Sequence, residues 1–179
     1  NMEIEGHEFF SPDGKTVWYD LQTPRSTVFW LAGGNLTTGH RTWYNLQRDE
    51  WSVHYNMSPD AKLLAGDGGG AGSVASRSPD GEVLTPPGNG QWIYLFHPTG
   101  VRGNSFRDHK DLIDAGYFKS ERLANLAHHS YSKQTGVEPN LTFTPDGKWI
   151  IFSGNFDSNP GDGKKATTHV YAVEIAKTK

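Results

Sequence analysis

The sequence predicts an all-β fold assembled from repeated units, and three observations support this prediction. One turn pattern, Ser/Thr-Pro-Asp with an apolar entry, a following Lys and then an apolar run, recurs at 9–20, 56–67 and 142–153. The first two copies are 47 residues apart and the last two 86 residues apart, which suits one and then two repeats of about 43 residues. The segments between the turns also resemble strands. All-β units with this period are typical of the blades of a β-propeller.

Each copy of the turn is predicted to close a β-hairpin. Pro presets φ at the first turn position, Asp hydrogen-bonds its own backbone, and Gly supplies a positive φ, so that two extended runs pair across the turn. A fourth copy, RSPDGEV at 77–83, is out of phase with the others. We interpret it as an inserted loop.

The remaining strands are predicted in chain order between the hairpins. They are STVFWLAG at 26–33, TGHRTWYNL at 38–46, QWIYLFHP at 91–98, KSERLANL at 119–126 and THVYAVEIAK at 168–177. Only RDHKDLIDAGYF, at 107–118, could hold a helical turn. The blades are therefore expected at about 5–46, 50–126 and 136–177, which makes about two and three-quarter four-stranded blades.

A ring of this size should not close by itself, because propellers have about four to eight blades. We therefore expect 1–179 to be the C-terminal part of a single propeller domain whose N-terminal blades lie elsewhere. The alternative is that another chain completes the ring. A compact β-sandwich is the alternative architecture, and the repeat period argues against it.

Composition excludes several classes of function. The 179 residues are 35% hydrophobic and 12% aromatic, which is enough for one domain with a core. The net charge of −3 has both signs interspersed, so neither a nucleic acid nor a membrane is expected as a partner. The opening NMEIEGHEFF lacks the features of a signal peptide, and a periplasmic or a cytoplasmic location stays open. Because there is no cysteine, any metal must be held by nitrogen and oxygen.

Two histidines stand in phase with the repeat. His7 and His54 each precede the Ser of their turn by four residues, and Asn140 occupies that register in the third blade. Glu138 lies two residues before Asn140 and so on the same face of a strand. Equivalent positions in successive blades face the central channel, where a base and a metal ligand could converge. His129 and its neighbour His128 could reach the same mouth. The alternative is that each histidine is a hydrogen-bonded core residue.

The motifs also resemble those of a known family. GHEFFSPDG, WSVHYNMSPD with AGDGG after it, VEPNLTFTPDGKWIIF and THVYAVEI are similar to the C-terminal half of oligogalacturonate lyases, seven-bladed propellers with TolB-type repeats. The resemblance runs over most of 5–175. It implies β-elimination on short, pectin-derived galacturonides, with a divalent metal that is typically manganese. Magnesium and calcium are the alternatives.

The resemblance implies roles for individual residues. His7 matches the family's Brønsted base, and His54 matches a metal-ligand histidine. Where the family carries a Gln and then a His-x-His pair, this chain has Glu138 and Asn140, whose oxygens suit a hard ion. Gln134 or His129 could fill the remaining position. The family's catalytic arginine lies on the blade before His7, and no residue here matches it.

Three further residues are candidates for binding the galacturonide. Arg25 could hold a carboxylate through its guanidinium group, or it could be a solvated loop residue. Trp51 could stack on a sugar, or fill the core. Asp67 lies in AGDGGGAGS at 65–73, a stretch that lacks the lysine and helix of a phosphate loop and is interpreted as a flexible loop at the site mouth. A non-catalytic TolB-type module that binds protein or glycan is the alternative function.

Overall fold

The computed structural model describes residues 3–4, 7–22, 29–68, 91–102, 113–127, 129, 138–156 and 167–175. These residues form strands and one short 3-10 helix, Arg48–Glu50, so the all-β prediction is confirmed. The strands are β1 Glu3–Ile4, β2 Phe9–Phe10, β3 Thr16–Gln22, β4 Phe29–Asn35, β5 Arg41–Leu46, β6 His54–Met57, β7 Leu64–Asp67, β8 Trp92–Arg102, β9 Ile113–Asn125, β10 Thr142–Phe143, β11 Trp149–Gly154 and β12 His169–Glu174. Within these ranges no helix is long and apolar enough to cross a membrane.

The strands form consecutive antiparallel meanders, each of which is one blade. Blade 1 contains β2, β3, β4 and β5, blade 2 contains β6, β7, β8 and β9, and blade 3 contains β10, β11 and β12. Within the described residues, two blades of four strands and one of three match the predicted partial propeller. The short strand β1 pairs with the far end of β3.

The three hairpin turns share one hydrogen-bond pattern. In blade 1 the amide of Ser11 donates to the carbonyl of Thr16 at 2.8 Å, and the Ser11 hydroxyl donates to the Asp13 carboxylate at 2.6 Å. Asp60 and Asp146 accept from Ser58 and Thr144 in the same way, at 2.7 and 2.6 Å. These hydrogen bonds lower the pKa of all three carboxyl groups. The predicted turn chemistry is present in each blade, whereas the copy at 77–83 lies outside the described residues.

Blade 2 is buried on both faces. Alternate residues of a strand point to opposite sides, so one set of its side chains packs on blade 1 and the other on blade 3. The set in the core shared with blade 1 includes Leu64, Tyr94 and Phe96. The set in the core shared with blade 3 includes Ala65, Ile93 and Leu95. A strand buried on both faces needs a continuous apolar run, which explains the WIYLF sequence of β8.

The outer strands of the first two blades are joined. β5 pairs in parallel with the first part of β9, from Arg41 with Ile113 to Asn45 with Tyr117. A helical turn, for which only 107–118 left room, is therefore excluded for 113–118, and 107–112 lies outside the described residues. Pairing with β8 on one side and β5 on the other outweighs the local polar pattern, because strand formation depends strongly on tertiary context.

Candidate functional site

The histidines of the first two blades are in contact. The rings of His7 and His54 have centroids 4.6 Å apart and planes inclined at 70°. His7 lies two residues before the inner strand of blade 1, and His54 begins the inner strand of blade 2. The common distance from the turn therefore places both imidazoles at the same end of neighbouring blades. His7 is exposed and His54 is partly buried.

His7 lies on an irregular part of its strand edge. Ile4 pairs with Leu21 and Phe9 pairs with Trp18, so the inner edge holds two more residues than the partner strand over the same span. Residues 5–6 of this span lie outside the described residues. The second blade has no such insertion, because His54 pairs directly with Asp67.

Asp67 holds His54 from behind. Its Oδ2 lies 2.8 Å from the His54 Nδ1, and its Oδ1 accepts the His54 backbone N–H at 2.7 Å. The carboxylate has no exposed surface. Sequence reasoning placed Asp67 at the site mouth as a substrate contact; the structure instead places it in the interior, behind the imidazole.

The His54–Asp67 pair is arranged to retain a proton. Burial lowers the pKa of His54, but the hydrogen bond and charge of Asp67 and the charge of Glu138 outweigh that effect, so the pKa of His54 is raised. Burial raises the pKa of Asp67, and the hydrogen bonds from His54 and Asn140 oppose this rise only in part. Both directions favour keeping a proton in the pair to higher pH.

The third blade contributes Glu138 and Asn140. Glu138 Oε2 is 3.5 Å from the His54 Nε2, and its side chain is 49% exposed, so it can reach a ligand from solvent. Asn140 has a positive φ of 45°, which Asn tolerates better than most residues. In that conformation its backbone N–H donates to Asp67 Oδ2 at 3.2 Å. All three blades therefore meet around His54.

His54 and Glu138 fit as part of a metal site. Ligand bonds to a divalent ion are about 2.1 Å long, and atoms separated by 3.5 Å can both reach one ion. Within the described ranges, no group of three or more His, Cys, Asp or Glu side chains is placed to hold a metal. The two side chains thus form a partial donor set, and the candidate ligand Gln134 lies outside the described residues.

The other predicted site residues lie in different surroundings. Trp51 belongs to the core between blades 1 and 2 and donates its indole N–H to Asp20 at 2.9 Å, so its side chain is used in packing. His129 is buried, and its Nδ1 accepts the Asn155 backbone N–H at 3.4 Å. Arg25 and His128 lie outside the described residues.

The role of Asp67 had a signal in the sequence. Asp67 follows Ser58 by nine residues, and Asp20 follows Ser11 by the same number. The register of the second hairpin turn fixes which residues of its two strands face each other, and it pairs Asp67 with His54. Both carboxylates are buried, at 0% and 2% exposure. The repeat thus carries a buried Asp on the second strand of blades 1 and 2.

Comparison with known proteins gives a fold and no closer relationship. No family model matches the chain, and no curated protein matches it. A solved oligogalacturonate lyase in complex with manganese superposes with a TM-score of 0.62 at 18% identity, over 98% of this chain and 36% of that one. An oligogalacturonate lyase from Vibrio parahaemolyticus superposes with a TM-score of 0.60 at 15% identity, with the same coverage. The chain therefore shares its fold with 36% of the length of these enzymes.

Proposed function

We propose that these blades form part of the active centre of a lyase that cleaves oligogalacturonides by β-elimination. The observation that carries the proposal is the 4.6 Å contact between the His7 and His54 rings, which sets an exposed imidazole beside one that faces a carboxylate. The solved structures that share the fold support the substrate class, since both are oligogalacturonate lyases.

The reaction requires one general base and one electrophilic group. The proton removed from C5 lies next to the C6 carboxylate and is poorly acidic until the charge that develops on that carboxylate is neutralised. As the proton leaves, its electron pair forms the C4–C5 double bond and the C4–O4 bond breaks. The departing oxygen takes up one proton, which balances the proton removed from C5, and becomes the hydroxyl of the released sugar. No water is consumed, and the other product is an unsaturated uronate.

His7 is the proposed base. Its ring is exposed, so a sugar can approach it, and a neutral imidazole suits proton transfer near neutral pH. His54 and Glu138 would hold a divalent ion at the neighbouring position, where the ion would supply positive charge to the substrate carboxylate. Asp67 would keep the His54 ring in place. This division gives base and electrophile adjacent positions on neighbouring blades.

Manganese is the proposed metal, with magnesium or calcium as alternatives. The Glu138 carboxylate and any contribution from the Asn140 side-chain oxygen are hard donors that all three ions accept. One of the solved structures that share the fold is a manganese complex. His129 is not assigned to the metal here, because it is buried and its ring accepts the Asn155 backbone N–H and packs against Phe156.

A complete ring is expected to be needed for turnover. The chain spans 36% of the length of the two solved lyases, and we propose that N-terminal blades or another chain supply the rest of the channel. The missing part would include an arginine that binds the substrate carboxylate. Within this chain, Arg25 is the alternative candidate for that role. The 179-residue chain alone is accordingly expected to be inactive.

The test measures the unsaturated product by its ultraviolet absorbance. Digalacturonate would be incubated with a polypeptide in which these blades complete a ring, and with the 179-residue chain alone, each with added Mn²⁺ or with EDTA. We expect product only from the completed ring with Mn²⁺. Binding of galacturonide without any product under these conditions would reject the lyase and leave the glycan-binding alternative.

A further inference from the structure

We infer that Asp67 is a positioning residue that fixes the tautomer of His54 and thereby presents the His54 Nε2 lone pair to the space beside Glu138. Asp67 faces three nitrogen atoms: His54 Nδ1 at 2.8 Å, the His54 backbone nitrogen at 2.7 Å and the Asn140 backbone nitrogen at 3.2 Å. The two backbone amides can only donate, so they define the buried carboxylate as an acceptor. Beside an ionised Asp67, a neutral His54 carries its hydrogen on Nδ1.

The far side of the ring is left open by the same arrangement. Nε2 is 3.5 Å from the Glu138 oxygen, which exceeds the usual N–H···O range of about 2.7–3.2 Å. In the Nδ1–H tautomer, Nε2 carries a lone pair and no hydrogen. It therefore cannot donate a hydrogen bond to the Glu138 carboxylate, and the long distance agrees with this. A lone pair facing a carboxylate across this gap suits a shared cation. The identification of this cation as the divalent metal of a lyase rests on the proposed function. The assignment of the tautomer does not depend on it.

Asp67 also fixes the second donor relative to the first. By accepting the Asn140 backbone N–H, it ties the start of the inner strand of blade 3 to the inner strand of blade 2. Glu138 lies two residues before Asn140, so its position depends on that attachment. One carboxylate thus orients the imidazole and anchors the segment that carries the facing oxygen. Such outer partners of ligating histidines are worth about 10–100-fold in metal affinity.

Blade 1 contains a matched control. Asp20 occupies the same place after its turn as Asp67 and is equally enclosed, at 2% exposure, but it accepts the indole N–H of Trp51. Asp20→Asn and Asp67→Asn therefore make the same chemical change at equivalent buried positions. A general loss of stability should appear in both variants. A change at His54 Nε2 should appear only in Asp67→Asn.

The first experiment is NMR on the ¹⁵N-labelled 179-residue chain, with long-range ¹H–¹⁵N correlations recorded at a pH where His54 is neutral. Histidines in water favour the Nε2–H form, so the pattern of an Nδ1–H ring is diagnostic. We expect that pattern for His54 in the wild type and in Asp20→Asn. In Asp67→Asn the NH₂ group replaces one acceptor oxygen, so the side chain can no longer accept hydrogen bonds from all three N–H groups. The preference of His54 for the Nδ1–H form should therefore be lost.

The second experiment is a titration with Mn²⁺ alone, followed by paramagnetic broadening of the His54 signals. We expect Asp67→Asn to need about 10–100-fold more Mn²⁺ than Asp20→Asn for the same broadening. An Nε2–H ring in the wild type, or equal broadening in the two variants, would overturn the inference. Because neither readout involves galacturonide, an absence of lyase activity would reject the proposed function alone.

Discussion

The indole nitrogen of Trp51 lies 2.9 Å from the Oδ2 of Asp20, and the hydrogen bond between them crosses from the segment before blade 2 to β3 of blade 1. Both side chains are buried, at 8% and 2% exposure. A buried carboxylate without donors is costly. Trp51 therefore stabilises the junction between the two blades that carry His7 and His54.

Trp51→Phe should destabilise the protein through this hydrogen bond. The substitution keeps an aromatic ring in the core but leaves Asp20 without the indole donor, so we expect the free energy of unfolding to fall by about 1–3 kcal/mol. Urea denaturation followed by far-ultraviolet circular dichroism measures this. Trp149→Phe is the control, since Trp149 is 38% exposed and its loss should cost less than about 0.5 kcal/mol. Equal effects of the two variants would show that the hydrogen bond contributes nothing.

Ala61→Gly should stabilise the second hairpin turn. Ala61 has φ of 57°, where the other two turns have Gly14 and Gly147 at 70° and 68°. A left-handed conformation costs a residue with a Cβ about 1–2 kcal/mol, and replacing Ala by Gly removes this strain. The greater entropy of Gly in the unfolded chain offsets about 0.5–1 kcal/mol of that gain. We expect a gain of up to about 1 kcal/mol in thermal or urea unfolding. Gly14→Ala should lower the stability by a similar amount through backbone strain. No steric clash adds to this loss, because a Cβ at Gly14 meets nothing within 4 Å. A loss of stability in Ala61→Gly, or a gain in Gly14→Ala, would contradict the strain argument.

Gly33 and Gly34 are adjacent on β4 but should differ sharply in their tolerance of Ala. A Cβ on Gly33 would lie 2.8–2.9 Å from ring atoms of Trp18, whereas a Cβ on Gly34 meets nothing within 4 Å. Trp18 is held in the core between the blades, so Gly33→Ala should cost about 1–3 kcal/mol by overpacking. Gly34→Ala should be close to neutral. The difference in urea midpoints measures the effect, and similar midpoints would show that Trp18 can move aside.

The raised pKa of His54 predicts a direction for stability against pH. Burial lowers this pKa, but the hydrogen bond and charge of Asp67 and the charge of Glu138 raise it further, so the folded protein favours the imidazolium form. That stabilisation is complete below the unfolded pKa of about 6.5 and is lost as pH rises through the folded value. We therefore expect the stability advantage of the wild type over His54→Gln, in EDTA, to shrink as the pH increases. An advantage that grows with pH would contradict the shift.

His7→Gln should remove most of the proposed lyase activity without unfolding the protein. His7 is exposed and lies outside both hydrophobic cores, so stability should change by less than about 0.5 kcal/mol. Loss of a general base should lower the rate of product formation about 10²–10⁴-fold. His169→Gln, at an exposed position on β12, is the control and should retain full activity. A His7→Gln enzyme as fast as the control would remove His7 from the reaction.

Much of the fold was predictable because the turns repeat. Ser/Thr, Pro and Asp act through local bonds of the kind seen from Ser11 to Asp13, so each hairpin is encoded within a few residues. The spacing of the hairpins then predicts the blades. The strand at 113–118 could not be found in this way, since its partners are β5 and β8 and its own residues carry no strong strand pattern.

The sequence predicts which residues lie at the same end of successive blades, but it predicts the contacts between them less well. The distance from each turn brings His7 and His54 to the same end of their blades, and Glu138 follows from the same count. The function of Asp67 depends on strand register, and the two extra residues between Ile4 and Phe9 become evident only from the pairing. Trp51 was ambiguous because a core aromatic and a sugar-stacking aromatic look alike in a sequence.

The parallel pairing of β5 with β9 also bears on aggregation. Unpaired N–H and C=O groups along a strand edge can recruit a strand from another molecule, and the β5–β9 ladder occupies such groups on the outer strands of blades 1 and 2. In the part of the chain that the structure describes, β12 pairs only with β11, and its Val170 is 73% exposed. Among the described residues, β12 thus offers blade 3 an exposed strand edge for self-association, whereas β5 and β9 occupy each other's edges.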